Sequence, residues 1–342
     1  MTPPARIRRR DTAADRRRLL EILSDGRFHS GEDIARALGV SRSAVWKHLN
    51  WLRARQIELE AVRRRGYRLA QPVDLIDAQR VLEELSPAAR DRLARFDVLL
   101  EVDSTNRHLG ELAPPRPGTA LACLAEIQTA GRGRRGRSWL APFGSSVCLS
   151  IAWTFAEVPA SFPALGLAVG VGVTRALEDV GAVGLGLKWP NDVVWQGHKL
   201  GGILIEVRGP ATVGTHVVVG VGLNARLPSR ARLELAEHHG VHATDLHEVM
   251  HDALPSRSRI AAAVLEALPD VLAEFETHGF APFVSEWQTR DVVRGRRVKL
   301  IAGDIEVQGV ASGVGGDGAL LLDTGAGIER FVSGDLSLRF DR

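Results

Sequence analysis

Cysteine is scarce in this chain: two residues in 342, Cys123 and Cys148, both inside apolar runs. Two such residues exclude the dense disulfide framework of a small secreted domain. They read as buried free thiols in a reducing compartment, with a single disulfide as the weaker alternative. Long apolar runs are also lacking. The longest, Ala164–Val173, is too short to span a bilayer. The arginine-rich first residues have no apolar core and do not read as a secretory signal. The expected location is the cytoplasm.

What is present is the composition of an ordinary soluble protein, 45% hydrophobic and 25% charged, in a chain long enough for two or three domains. The net charge of +3 conceals an asymmetry. Residues 1–72 hold 17 Arg and Lys against 8 Asp and Glu, a net of +9, which leaves −6 on the remainder. A basic front on an acidic body points to a polyanion met by the front alone. The alternative is a solvated tail, above all at Arg6–Arg10.

Residues 1–14 lack periodicity and are expected to form a disordered basic tail. Arg16–Ser24 suits a helix. Ser30 is a good N-cap for a short second helix over Gly31–Leu38, and Gly39 ends it. Ser41 caps a third, with Ala44, Val45, His48, Leu49 and Leu52 at helical spacing. Two alternating segments follow, joined by a turn at Arg63–Gly66. Helix, helix, tight turn, helix, hairpin is the order of a winged helix-turn-helix, placed at 15–72. Gly39 supplies the positive φ that its turn needs, and Ala35 the small residue at the close crossing. Ser41, Arg42, Ser43, Lys47 and His48 are candidates to meet DNA from the recognition helix. Arg63, Arg64 and Arg65 are candidates to reach phosphates from the wing. The competing reading is a small helical domain for protein contacts.

Gln71–Asp74 reads as a linker, and Ala78–Leu85 as a helix. Strands are expected at Val98–Val102, Ala120–Ile127, Val147–Trp153, Leu200–Val207 and Val217–Gly222. Helices are expected at Asn106–Leu112, Ala164–Val180 and Ile260–Glu276. Strands without strict βα alternation predict an α+β layer over 73–289. Pro228–Val241, polar and irregular, reads as a flexible loop. From 290 to 342 short alternating segments predict a small β-barrel.

Gly131-Arg-Gly-Arg-Arg-Gly136 matches G-x-G-x-x-G, but Trp139-Leu-Ala-Pro142-Phe-Gly144 follows it rather than the helix a dinucleotide site needs. Arg132, Arg134, Arg135 and Arg137 instead put four guanidinium groups on one loop, suited to phosphate and carboxylate oxygens. A solvated basic loop is the alternative. Lys188 stands at the end of an expected strand, entering the corner Trp189-Pro-Asn-Asp192. That suits a cation held against developing negative charge; a surface lysine beside a turn is the plainer reading. Asp103-Ser-Thr-Asn106 opens a helix, so its hydroxyls either cap it or bind a ligand. The glycines of Gly220-Val-Gly-Leu-Asn224 allow close approach to a strand end.

Taken in order, with Gln128 and Lys199-Leu-Gly-Gly-Ile-Leu204 and both flanking domains, these motifs resemble the bifunctional biotin–protein ligase and biotin-operon repressor family. The resemblance implies a class II synthetase-like mixed sheet in the centre and an SH3-like barrel at the end. It implies an ATP-dependent reaction giving biotinyl-5′-AMP and pyrophosphate, then transfer of biotin to a lysine of a biotin carboxyl carrier protein. Mg²⁺ is implied through the substrate phosphates rather than direct protein ligands, with Asn224 close to the adenine or the metal. Ser104, Thr105, Asn106, Gln128, Gly131, Arg132, Gly133, Arg134 and Lys188 are implied for biotin. Arg132, Arg134, Arg137, Trp139, Lys188 and Asn224 are implied for the adenylate, with Lys188 and Arg134 catalytic. A homodimer formed when the adenylate is bound, and operator DNA as its partner, complete the implication. A ligand-sensing transcription factor with an inactive ligase domain, and a lipoate ligase, are the rival readings.

Overall fold

The computed structural model describes residues 12–208, 214–302, 305–332 and 336–340. They fall into two compact units, divided between Leu75 and Ile76. Most of the expected basic tail, residues 1–11, lies outside the described residues. Thr12–Ala14 do not belong to a tail; they are the first turn of a helix.

The first unit holds α1 (Thr12–Leu23), α2 (Gly31–Leu38), α3 (Arg42–Ala54), β1 (Leu59–Val62) and β2 (Gly66–Leu69). Its boundaries follow local chemistry. The Ser30 hydroxyl accepts the Asp33 N–H at 3.0 Å, and the Ser41 hydroxyl accepts that of Ala44 at 3.2 Å. Between them Gly39 adopts φ 60°, which a side chain rarely tolerates. Leu19, Leu20, Leu23, Ile34, Leu49 and Leu52 close a small core. The wing is tied back by reciprocal backbone bonds between His29 and Tyr67, both 2.9 Å. Gly66 sits so close to this bridge that a Cβ would lie 2.0 Å from the His29 carbonyl oxygen.

The second unit runs α4 (Ala78–Glu84), α5 (Pro87–Arg92), β3 (Leu93–Val102), α6 (Thr105–Gly110), β4 (Ala120–Gln128), β5 (Ser146–Phe155), α7 (Leu165–Asp179), β6 (Leu185–Lys188), β7 (Asp192–Trp195), β8 (His198–Arg208) and β9 (Thr215–Asn224). It continues with α8 (Ser229–His239), α9 (Leu246–Met250), α10 (Arg257–His278), α11 (Val284–Arg290), β10 (Arg297–Ala302), β11 (Ile305–Val314), β12 (Leu320–Asp323), β13 (Ile328–Phe331) and β14 (Leu336–Phe340). Seven strands make one mixed sheet in the order β3-β4-β5-β9-β8-β7-β6, parallel only at β3–β4. α7 and α10 cover one face through Leu124, Leu149, Ile151, Val219 and Val221. The alternate residues Leu121, Cys123, Ala152 and Val218 face α6 on the other side. Burial on both faces explains why these strands read as unbroken apolar runs. α6 covers only part of its face, and the remainder is left open for a site.

Pro228–Val241 is not a loop: residues 229–239 are helical. The helix has little amphipathic pattern, and Arg232 holds it by ion pairs to Asp245 and Glu248. The last five strands form an antiparallel sheet, β13-β12-β11-β10-β14, the strand set of the SH3-like domain. Val298, Leu300, Ala311, Leu320 and Leu322 share one continuous core with the large sheet. A boundary at 289/290 therefore separates two sheets but not two cores.

At that junction Asp291 bridges to β6, where the Val292 N–H meets the Leu187 carbonyl at 3.0 Å. Its Oδ1 accepts the Val293 N–H at 3.0 Å, but Oδ2 is buried without a partner. Burial pushes this carboxyl up to about 6 from the usual 3.8. The folded chain thus keeps the proton to a higher pH than the unfolded chain. The resulting penalty is absent below the unfolded value and grows as pH rises through the folded one. Asp291→Asn is expected to stabilise the protein by about 1–2 kcal/mol at neutral pH and by nothing below about pH 4. Urea unfolding at the two pH values checks this; an equal gain at both would exclude charge burial as its cause.

Candidate functional site

The open part of the sheet carries a cavity of about 790 Å³. Five segments build most of its walls: the start of α6, the loop after β4, the β6–β7 corner, the glycine-bearing stretches of β8 and β9, and the end of α8 with residues 240–243.

Ser104 precedes α6 in extended conformation and makes no capping bond with its side chain, so the hydroxyl is not spent on the helix. Thr105 donates its N–H and its hydroxyl to Gln128 Oε1, at 2.9 and 3.2 Å. Asn106 donates Nδ2 to Glu206 Oε2 at 3.0 Å. Ser150, fully buried on β5, lies 2.6 Å from Asn106 Oδ1 and 2.7 Å from Thr105 Oγ1. Its single proton serves one of them at a time. The row is therefore a polar ladder of fixed side chains inside an apolar sheet.

The loop after β4 is a closed hairpin. Gly133 N–H meets the Arg137 carbonyl at 2.7 Å, and Trp139 N–H meets the Gly131 carbonyl at 2.9 Å. A single helical turn, Arg134–Gly136, lies inside it, with Arg135 and Gly136 at φ 59° and 70°. No helix begins after the glycines, in keeping with a loop that is not a dinucleotide fingerprint. Arg132 pairs with Glu206 at 2.8 Å, and Arg134 donates to Asn191 Oδ1 at 3.4 Å.

Lys188 ends β6. The corner beyond it is held by three hydrogen bonds. Trp189, 1% exposed, donates its indole N–H to the Gly318 carbonyl at 3.1 Å; Asn191 Nδ2 reaches the Ile203 carbonyl at 2.8 Å; and Ile203 N–H returns to the Asn191 carbonyl at 2.9 Å. The Trp189–Pro190 peptide is cis. Asp192 and Lys199, given no individual role from sequence, form a 2.5 Å ion pair in the cavity wall.

The two β9 glycines make room for side chains. A Cβ at Gly220 would stand 2.3 Å from Asn106 Oδ1, and one at Gly222 would stand 2.5 Å from the Trp139 indole. Asn224 gives its Nδ2 to the Thr244 carbonyl at 3.0 Å, leaving Oδ1 uncommitted. Cys148 lines the cavity as a free thiol, and burial pushes it up to about 11. Cys123 is also free, buried, and pushed up to about 12. Among the described residues no group of three His, Cys, Asp or Glu side chains is placed to hold a metal ion.

Of the residues singled out from sequence, Ser104, Thr105, Asn106, Gln128, Arg132, Gly133, Arg134, Arg137, Trp139, Lys188 and Asn224 line this one cavity. Gly131 lies just behind it, its carbonyl occupied by Trp139. Ser150 was missed, although a serine on the inner face of an apolar strand is a visible signal.

In the first unit Ser41, Arg42, Ser43 and Lys47 are exposed on α3, and Arg63, Arg64 and Arg65 on the β1–β2 turn. His48 is different. It is 7% exposed and turned into the core, because it continues the stripe of Val45, Leu49 and Leu52. The side chain on the outer face is Trp46, 58% exposed.

Three family models match. That of the biotin/lipoate A/B protein ligase family covers residues 100–224, an HTH domain covers 15–68, and the biotin protein ligase C terminal domain covers 294–339. The chain is 36% identical to the bifunctional ligase/repressor BirA of Escherichia coli, over 94% of this chain and 96% of the relative. It is 32% identical to the protein of that name in Bacillus subtilis, over 94% and 98%. A solved biotin protein ligase from Aquifex aeolicus, in complex with biotin and ATP, matches with a TM-score of 0.62 and 31% identity. That match covers 73% of this chain and all of the other.

Proposed function

The chain belongs to the family of bifunctional biotin–protein ligases and repressors, and from that premise we propose how its own residues carry the two activities. It is a ligase that uses biotin and ATP, joined to a helix-turn-helix repressor domain. In the first step a biotin carboxylate oxygen bonds to the α-phosphorus of ATP and the bond to pyrophosphate breaks. In the second an acceptor lysine amine of a carboxyl carrier protein attacks the acyl carbon, AMP leaves with the bonding pair, and the amine loses a proton.

One observation supports the assignment of roles above the others: the arginine loop and Lys188 line the same cavity as the polar ladder. Thr105, Gln128, Asn106 and Ser104 take the head group of biotin, whose ureido edge offers donors and an acceptor of matching kind. Ser150 supports them. Arg132, Gly133 and Arg134 cover the reacting carboxyl and the α-phosphate, and Arg137 faces phosphate. Trp139 gives the adenylate an apolar wall over Gly222. Lys188 places its ammonium where negative charge grows on carboxyl and phosphoryl oxygens. Lys199, held by Asp192, adds a second cation to that wall. The Asp192 carboxylate is taken up by Lys199, so Mg²⁺ would enter as the counter-ion of the ATP phosphates, with Asn224 offering it Oδ1. It supplies charge neutralisation there.

The exposed row Arg42, Ser43, Trp46 and Lys47 meets the major groove, and the wing arginines meet phosphate. An adenylate-dependent homodimer would bring two such units to paired half-sites.

Purified protein with ATP, biotin and a carrier domain is expected to raise the carrier's mass by one biotinyl group, and an excess of lipoate is expected not to compete. Footprinting upstream of biotin synthesis genes should show protection that strengthens with biotin and ATP and weakens with salt. A carrier of unchanged mass would refute the ligase assignment, and an unprotected upstream region the repressor assignment.

A further inference from the structure

Glu206 lies on β8, outside the cavity lining, yet its carboxylate touches two of the cavity's walls. Oε1 accepts Arg132 Nη1 at 2.8 Å, from the arginine loop. Oε2 accepts Asn106 Nδ2 at 3.0 Å, from the start of α6, and stands 3.4 Å from Arg208 Nη2. The carboxylate is 16% exposed, against 50% for Arg132, so the pair is half sheltered from solvent screening. The loop itself carries four guanidinium groups in six residues and repels itself. Arg134, on the same loop, reaches the neutral Asn191 amide at 3.4 Å. Glu206 thus offers the loop a fixed countercharge, from the same carboxylate that steadies the head-group ladder.

We propose that Glu206 is the catch that holds the arginine loop over the cavity, a positioning residue that sets how long the adenylate is retained. It touches no substrate and acts through Arg132 and Asn106. The assignment rests on the reading of the cavity as the adenylate site. Retention matters twice in this chain, because the adenylate has to survive until a carrier arrives and is also the signal read by the DNA-binding unit.

The Glu206→Gln variant separates the two contacts. Its amide oxygen still accepts from Asn106, but the charge opposite Arg132 is gone. The full chain is loaded with labelled biotinyl-5′-AMP formed from labelled biotin and ATP, then chased with unlabelled biotin and ATP. Glu206→Gln is expected to release the label about five to ten times faster than the wild type. In an Arg132→Ala background the same change is expected to do nothing further. Added salt should speed release from the wild type and leave the Gln variant unchanged. Arg132 also covers the reacting carboxyl and the α-phosphate, so Arg132→Ala is itself expected to release the label faster, and in that background the effect of Glu206→Gln is read against the Arg132→Ala single variant rather than the wild type. Release at the wild-type rate, or an undiminished effect in the Arg132→Ala background, overturns the catch. A wild type that retains no label at all overturns the cavity's assignment instead.

Discussion

Lys188→Ala is expected to slow adenylate formation by about 10²–10³-fold, the loss seen when a preorganised charge is removed from a developing oxyanion. The size follows from how the lysine is mounted. Its strand ends where Trp189 is buried and bonded to Gly318, and where Asn191 exchanges two bonds with Ile203. These contacts fix the corner before any substrate binds, which is the preorganisation that the expected loss assumes. Lys188→Arg keeps a charge but not its position, and is expected to recover only part of the loss. Single-turnover formation of labelled adenylate is the measurement, because it isolates the first step from transfer. A rate within about threefold of wild type would remove Lys188 from the mechanism. Full activity in Lys188→Ala with loss in Lys199→Ala would hand its role to the Asp192-held lysine.

The largest expected effect on stability lies elsewhere. Arg257 and Glu126 form an ion pair at 2.7 Å with side chains 4% and 0% exposed. Arg257 Nη1 also donates to the Ser146 carbonyl at 3.1 Å, and Glu126 Oε1 accepts the Ile76 N–H at 2.6 Å. One pair therefore joins α10, β4, the start of β5 and the first residue of the second unit. Replacing Arg257 by methionine leaves a buried carboxylate with no countercharge and should cost about 3–5 kcal/mol. Replacing both residues by apolar ones removes the stranded charge and should restore much of that loss. Urea unfolding followed by the fluorescence of the buried Trp153, Trp189 and Trp287 reads the second unit. A double variant no more stable than Arg257→Met would mean that the Ile76 and Ser146 bonds, not the charge, carry the effect.

The sequence was most legible where local chemistry decides. Caps, a positive-φ glycine and a long apolar period place α2, α3, α7, α10 and the five long strands. It was least legible where distant partners decide. β7 is four residues long and exists because it pairs with β6 on one side and β8 on the other. α8 lacks an apolar stripe and depends on Arg232 reaching Asp245. The cavity residues were readable because they sit in glycine- and hydroxyl-bearing motifs that local packing does not explain. Ser150 and Glu206 acquire meaning only through neighbours that the fold brings from tens of residues away, and Asp192 and Lys199 only once the β7–β8 turn pairs them. On α3 the residue type pointed the wrong way. His48 reads as an outward contact, whereas the helical phase set by Val45, Leu49 and Leu52 buries it and exposes Trp46.

The paired glycines of β9 bear on redesign for bulkier carboxylic acids. That floor is already bare backbone at 220 and 222, with Asn106 and the Trp139 ring resting on it, so trimming it further gains no space. Room for an enlarged acid has to come from the ceiling, and the ring at 139 is the part that can be made smaller without cutting the hydroxyl and amide ladder.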